Sequence, residues 1–294
     1  MQDKSFIILN PEAYRFKKVK KHFDKNNIKY YVSYEKDYLI EIVTKKINEG
    51  IERFVLCGGD GTINRFINSV MKLPDKNKTI FIGIIPCGRA NDLARYMNIP
   101  LEVENALKTL DKNEVKTIDL IKVNNSYLVT GGGIGLPTEI VKDSNRFSYF
   151  PLGKIIKKIL GDLIYPLITL KKFILGYEGI ELASKDGKKL LGIYILNQPF
   201  IGKRFNLAPE AKNDDGIFET KIVKNPPSLI NNLVTMSKGM SGKLSELEWV
   251  KEKSSKGLSF SINKSSHFMG DGELLVKGDT FKIEIVPKVI PLIC

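Results

Sequence analysis

The stretch Cys57-Gly58-Gly59-Asp60-Gly61-Thr62-Ile63-Asn64 decides how this chain is read. An apolar run with strand character, Arg53-Phe54-Val55-Leu56-Cys57, leads into it, and a helix-like run, Ile63-Asn64-Arg65-Phe66-Ile67-Asn68-Ser69-Val70-Met71, leads out. Three glycines between a buried strand and a helix let the backbone approach a bulky anion. Amides at the helix start, together with the helix dipole, then favour a polyphosphate. Asp60, inside the turn, can hold a metal ion or take a proton. The plainer alternative is a tight turn in which glycine supplies a positive φ and Asp60 caps the helix. Because both the glycines and the acid then have chemical work, the pattern favours a nucleotide.

A second turn of the same kind follows. Residues 79–85 read as another buried strand and run into Pro86-Cys87-Gly88-Arg89-Ala90-Asn91-Asp92-Leu93-Ala94-Arg95, where a glycine again opens a helix. In an open α/β sheet, ligands bind beyond the carboxyl ends of the strands, which is where both turns lie if their strands are neighbours. Taken alone, Asn91-Asp92 is an ordinary capping pair.

Working outward, strand and helix signals alternate up to Asp119: strands over 6–10 and 30–33, helices over 12–24 and 37–48, then the two turn units. Such alternation predicts a parallel sheet with helices on its faces. After Asp119 short β-like runs take over, at 126–130, 179–184, 190–196, 217–223, 248–253, 258–262 and 280–286, with one helix over 228–240 and a turn signal at Asp186-Gly187. The chain therefore reads as a doubly wound α/β domain, residues 1–119, followed by a β-sandwich-like domain, residues 120–286.

Composition bounds the function. The 294 residues suffice for two domains and a sizeable core, and the net charge of +13 suits nucleic acid, an anionic membrane or polyphosphate ligands alike. No zinc-finger or RNP motif accompanies the basic residues, so a nucleic-acid partner is not expected. Cys57, Cys87 and Cys294 have no metal-ligand spacing and read as reduced thiols. The first residues lack a signal-peptide pattern and no apolar run is long enough to span a bilayer, so a soluble cytoplasmic protein is expected.

Between Phe150 and Leu175 apolar residues recur at three- and four-residue intervals with lysines between them, the pattern of an amphipathic helix pair broken at Pro166. Such a pair either packs on a core or touches lipid. Gly131-Gly132-Gly133-Ile134-Gly135 follows a strand but leads to Pro137 with no clear helix and no ribose-binding acid, so it is not read as a dinucleotide fingerprint.

One ordered series runs through the whole chain: Asn10-Pro11, GGDGT at 58–62, Pro86-x-Gly88-x-x-Asn91-Asp92, Asp119, Asp214-Asp215-Gly216 and Asp271-Gly272-Glu273. The series resembles the diacylglycerol kinase and sphingosine kinase catalytic-domain family, specifically its small bacterial lipid kinases. GGDGT alone also occurs in NAD kinases. The resemblance implies a lipid kinase that moves the γ-phosphate of ATP, with Mg2+, to a lipid hydroxyl such as that of diacylglycerol, in phospholipid biosynthesis. It implies an active site in a cleft between the domains, with the tail, about 287–294, returning to the first domain and glycines 131–135 at the junction. It also implies peripheral contact with the inner face of the membrane, and it leaves a homodimer open. Nucleotide binding would fall to Asn10, Pro11, Gly58, Gly59, Asp60, Gly61, Thr62, Asn64, Gly88, Arg89, Asn91, Asp92 and Asp119, the last two completing an acidic cluster with Asp60 for magnesium. Asp271, with Glu273 close behind, would accept the hydroxyl proton. A structural metal site would use Asp215 with the carbonyls of Lys212 and Ile217.

Three positions depart from the family pattern: Tyr14 where a small residue is usual, Arg65 where glutamate follows the asparagine of GGDGTxN, and Arg89 where threonine is common. Two of these add arginine, which could bind phosphate bidentately or mark a changed or weakened enzyme. An NAD kinase-like enzyme and a catalytically silent lipid- or nucleotide-binding protein therefore remain as alternatives.

Overall fold

A computed structural model describes residues 5–33, 38–73, 79–147, 149–183 and 189–294. The chain divides into two compact units, residues 1–119 with 288–294, and residues 120–287. In the first, the order is β1 (Ser5–Leu9), α1 (Phe16–Lys25), β2 (Tyr31–Val32), α2 (Tyr38–Asn48), β3 (Arg53–Gly58), α3 (Asp60–Val70), β4 (Phe81–Pro86), α4 (Asp92–Tyr96), α5 (Val103–Lys112) and β5 (Val115–Val123), whose second half enters the other unit.

The sheet of the first unit is parallel. β1 pairs with β2 on one side and β3 on the other, β4 extends the sheet beyond β3, and the C-terminal segment adds a further parallel strand by pairing Leu292 with Ile82 and Ile293 with Gly83. Strand order therefore reverses at β1: the chain first steps to β2 on one side and then crosses back to β3 on the other. A crevice opens at such a point because the loops leaving the two neighbouring strands diverge to opposite faces. The strands are apolar throughout, as strands covered on both faces must be. On one face Val19 and Phe23 of α1 and Val103, Ala106 and Leu110 of α5 close over Ile7, Leu9, Val55 and Ile85. Against β3, Phe66 of α3 meets Phe54 with ring centroids 5.2 Å apart.

The second unit begins with the latter part of β5 and continues through β6 (Ser126–Leu128), β7 (Gly131–Gly135), α6 (Leu136–Phe147), α7 (Pro151–Leu160), α8 (Ile164–Ile174), β8 (Ile180–Glu181), β9 (Lys189–Leu196), β10 (Phe200–Ile201), β11 (Phe205–Asn206), β12 (Phe218–Lys224), α9 (Leu229–Ser241), β13 (Val250–Ser255), β14 (Gly257–Gly270) and β15 (Glu273–Ile293). Its strands pair antiparallel in the order β13-β12-β9-β7-β14-β15, with β8 on β9. Phe268, Phe281, Ile193 and Ile195 anchor one core, while Leu191, Leu207 and Val223 anchor another under the helices.

Several expectations change here. Helix α1 starts at Phe16 and not at residue 12, because residues 11–15 form turns that close on Asn10. The start of the helix expected over 37–48, the last residue of the run expected over 179–184 and the Asp186-Gly187 turn lie outside the described residues. The helix pair breaks at Gly161–Leu163 and not at Pro166; Gly161 takes φ +54, while Pro166 sits in the first turn of α8, where its missing N–H is not needed. The final two strands are far longer than their apolar runs suggested. Residues 131–135 do lead into a helix, α6, with Pro137 in its first turn. These glycines serve a central antiparallel strand: a Cβ on Gly132 would lie 2.0 Å from the Met269 carbonyl oxygen.

Candidate active site

The loops leaving β1, β3 and β4 are bound to one another at the carboxyl end of the parallel sheet. Asn10 N–H donates to the Cys57 carbonyl at 3.0 Å, Cys87 and Gly88 N–H donate to the Gly58 carbonyl at 2.8 and 3.2 Å, and Arg15 N–H donates to the Cys87 carbonyl at 3.0 Å. Side chains finish the joint. Asn10 Nδ2 donates to Thr62 Oγ1 at 2.7 Å, and Asn10 Oδ1 accepts from the Glu12 amide at 2.9 Å. Asn91, held at φ +53, folds over its own loop; its Oδ1 accepts from Gly88 N–H at 2.8 Å and its Nδ2 donates to the Gly88 carbonyl. Asp60 Oδ1 accepts from Leu93 N–H at 3.2 Å, which ties the first residue of α3 to the start of α4.

The glycines are needed for this joint before any ligand is considered. A Cβ on Gly59 would lie 2.9 Å from the Gly88 Cα, one on Gly88 would lie 2.5 Å from the Gly59 Cα, and one on Gly58 would strike the Thr62 side chain at 2.4 Å. The two turns thus pack backbone against backbone. Gly59, Asp60 and Gly61 are half-buried, as are Asn10 and Gly88, and Arg89 is exposed, so solvent reaches the joint from all three loops. Thr62 and Ile63 turn their amides back to the Gly59 carbonyl. Asn64 is buried within α3 and exchanges a hydrogen bond with Asn68. Pro11 lies in the turn after Asn10, half-buried.

The residues flagged as departures have partners. The Arg89 guanidinium stacks 5.4 Å over the Tyr14 ring, Tyr14 itself being 63% exposed, and Arg65 Nε donates to the Gly61 carbonyl one turn back at 3.1 Å. The stack was not foreseeable, because Tyr14 and Arg89 are 75 residues apart in the sequence. Cys57 and Cys87 are free thiols beneath the loops; burial pushes Cys57 well above the usual thiol range and Cys87 up to about 12, so neither serves as a nucleophile.

Asp119 is fully buried, and its Oδ1 accepts the Lys288 amide at 2.7 Å. It thereby fixes the point at which the C-terminal segment joins the first sheet. Among the described residues no group of three or more His, Cys, Asp or Glu is arranged to hold a metal ion, so the acidic cluster expected from Asp60, Asp92 and Asp119 is not assembled as one.

In the second unit Asp271 occupies the turn between β14 and β15 at φ +49 and is 8% exposed. Its Oδ2 accepts from Val129 N–H at 2.8 Å, and its Oδ1 accepts from the Thr130 amide at 2.8 Å, the Thr130 hydroxyl at 2.6 Å and the Gly131 amide at 3.4 Å. Three of these four donors meet Oδ1 and one meets Oδ2, so the carboxylate is tied to the Val129–Gly131 segment. Glu273, two residues on, opens β15 and is half-buried. Asp215 Oδ1 accepts from Ile217 N–H at 3.2 Å, closing an exposed turn with Asp214 and Lys212 outside it.

With this geometry in hand, comparison with known proteins assigns the class. The diacylglycerol kinase catalytic domain model matches residues 4–123, and the YegS C-terminal NAD kinase beta sandwich-like domain model matches residues 161–294. The chain belongs to the lipid kinase family built from these two domains. A "Probable lipid kinase YegS-like" protein of Serratia proteamaculans is 28% identical over 263 residues, 88% of this chain and 82% of that protein. One of the same name from Shewanella frigidimarina is 28% identical over 200 residues, 66% of this chain and 62% of that protein. A crystal structure of a diacylglycerol kinase from Bacillus anthracis shares the fold with a TM-score of 0.76 at 19% identity, covering 99% of this chain and 96% of that one. No helix among the described residues is long and apolar enough to cross a membrane.

Proposed function

We propose that the protein transfers the γ-phosphate of ATP to a hydroxyl of a membrane lipid, with diacylglycerol the leading substrate. The observation that carries this reading is the joint at the strand-order switch: Asn10, the Gly58–Thr62 turn and the Gly88–Asn91 loop converge where an open α/β sheet binds phosphates. The start of α3 supplies backbone amides and the positive end of an eleven-residue helix to the polyphosphate.

Magnesium fits this arrangement as an ion brought in by the nucleotide. Asp60, and Asp92 beside Leu93, offer hard oxygens to such an ion. When bound it would offset the charge on the phosphates. Asp215, with the Lys212 and Ile217 carbonyls, remains our proposal for a second, structural ion.

Phosphoryl transfer needs an acceptor for the hydroxyl proton. The sequence ranked Asp271 first for that role with Glu273 close behind; because both Asp271 oxygens accept from the Val129–Gly131 segment, we assign proton acceptance to Glu273 and make Asp271 the group that fixes the turn carrying it. A cytoplasmic enzyme in peripheral contact with the membrane follows from a lipid substrate. The Tyr14–Arg89 stack supports a second reading, a nucleotide-binding protein without turnover, because it fills space at the loop mouth that the family keeps small.

The test offers labelled γ-phosphate from ATP, with magnesium, to a total lipid extract and, separately, to NAD. Label in a lipid supports the proposal. Label in NAD alone replaces it with the NAD kinase reading, and nucleotide binding without label in either leaves the silent binder.

A further inference from the structure

Three helices of the second unit leave large apolar side chains facing solvent. Helix α9 buries Thr235 and Gly239, with Thr235 Oγ1 accepting from Trp249 Nε1 at 2.9 Å, and turns Leu229, Ile230, Leu233 and Val234 to solvent. A helix seated on its core normally does the reverse. Helix α8 already buries Ile164, Ile168 and Phe173, yet Leu167 and Ile174 on its other side are exposed. On α7, Leu152, Ile155 and Ile159 recur at helical spacing and are exposed, Ile159 at 77%, and the turn before the helix exposes Tyr149 and Phe150. Among the described residues, most of the exposed large apolar side chains are gathered on these three helices, and α8 packs directly against α9. A collection of this size marks an interaction surface.

Charge decides the occupant. Residues 149–175 contain five lysines and one aspartate, and residues 224–243 contain three lysines and no acid. Lys172 is taken by Glu139 and Asp143 of α6 at 3.3 and 3.2 Å, and Lys238 by Glu246, but Lys171 is exposed beside the apolar stripe. Two copies meeting through such a face would set like charges against each other, which costs free energy. An anionic lipid surface offers an apolar interior for Ile159 and Ile230 and negative headgroups for lysine.

We propose that α7, α8 and α9 together form an interfacial docking surface that inserts its apolar side chains into an anionic bilayer. The surface builds on the lipid-kinase reading but adds α9, to which the sequence pattern of the helix pair gave no clue.

The test is sedimentation of the whole protein, without nucleotide, with vesicles of phosphatidylcholine alone or of phosphatidylcholine mixed with phosphatidylglycerol. Because no nucleotide or turnover is involved, its outcome is separate from that of the kinase assay. Wild type should partition onto the anionic vesicles, and Ile159→Glu and Ile230→Glu should each weaken this by about tenfold or more while melting like wild type, since both side chains are exposed. The proposal is overturned if wild type stays in solution with anionic vesicles. It is also overturned if Ile230→Glu binds as wild type does, or if wild type is a dimer in solution that either substitution dissociates.

Discussion

Substituting alanine for Gly88 would insert a methyl group between the two phosphate turns. The new Cβ would lie 2.5 Å from the Gly59 Cα, 2.7 Å from Asn91 Oδ1 and 3.3 Å from the Gly59 nitrogen. Non-bonded carbons settle at about 3.5–4.0 Å, so the β3 and β4 turns must part by roughly 1 Å. Two of the three contacts are backbone, so no side-chain rotation relieves them. Overpacking of this kind costs about 1–3 kcal/mol. The hydrogen bonds from Cys87 and Gly88 to the Gly58 carbonyl stretch with it, as does the Gly88–Asn91 pair. Hydrogen exchange of the amides over 86–97 should then speed up by roughly 5- to 150-fold, with ATP affinity falling over the same range. Gly257→Ala is the control, since its Cβ would meet only the Ile283 carbonyl oxygen at an ordinary 3.7 Å. Unchanged exchange and unchanged ATP affinity in Gly88→Ala would refute the argument that the two turns act as one braced unit.

Other predictions concern groups with defined partners. Lys221, with a fully buried side chain, is held by Glu210 at 2.6 Å, Ser245 at 2.8 Å and Glu252; Glu210→Gln with Glu252→Gln should destabilise the second unit by about 3–5 kcal/mol in urea, whereas Lys221→Met should cost far less because both glutamates can rehydrate. Burial works against the Lys221 ammonium, but its bonds to Glu210 and Glu252 outweigh that and raise its pKa, while the hydrogen bond from Lys221 lowers that of Glu252. This contribution is therefore present from the ordinary carboxylate range up to the ordinary lysine range. It is lost as pH falls through the lowered Glu252 value or rises through the raised Lys221 value, which melting curves of wild type and Glu252→Gln against pH will show. Asp119→Ala removes the buried carboxylate that accepts the Lys288 amide, so about 1.5–3 kcal/mol, the worth of a hydrogen bond to a charged group, is lost and residues 288–294 exchange faster. Asp271→Asn should lower the melting temperature as well as activity, while Glu273→Gln should leave melting unchanged and reduce turnover by about 10²–10⁴-fold, as expected if only Glu273 takes the proton.

The parallel half of the fold was legible because each strand there is a short, unbroken apolar run ended by glycine or asparagine, and the helices carry a clear period. The antiparallel half was less so. Strands β14 and β15 continue through polar residues such as Ser266, His267 and Lys277 because pairing between strands, Ser266 with Gly278 and His267 with Lys277, and not local pattern, sustains them. The helix break moved from Pro166 to Gly161 because proline is harmless in a first turn and a left-handed glycine is not compatible with a continuing helix. For the site, the residue types were readable but not their duties. Gly59 and Gly88 suggested room for phosphate, whereas each first makes room for the other. Asp119 read as part of an acidic cluster, yet it serves the Lys288 amide. The four donors around Asp271 come from residues about 140 positions away, a distance across which sequence periodicity carries no information.

The most direct test of the account is phosphoryl transfer to purified diacylglycerol in mixed micelles with ATP and magnesium, comparing wild type with Asp60→Asn. The account predicts labelled phosphatidic acid from wild type, and a rate lower by about 10²-fold or more from a variant that melts like wild type, since the proposal places Asp60 beside the phosphates. Equal rates from the two proteins would contradict it.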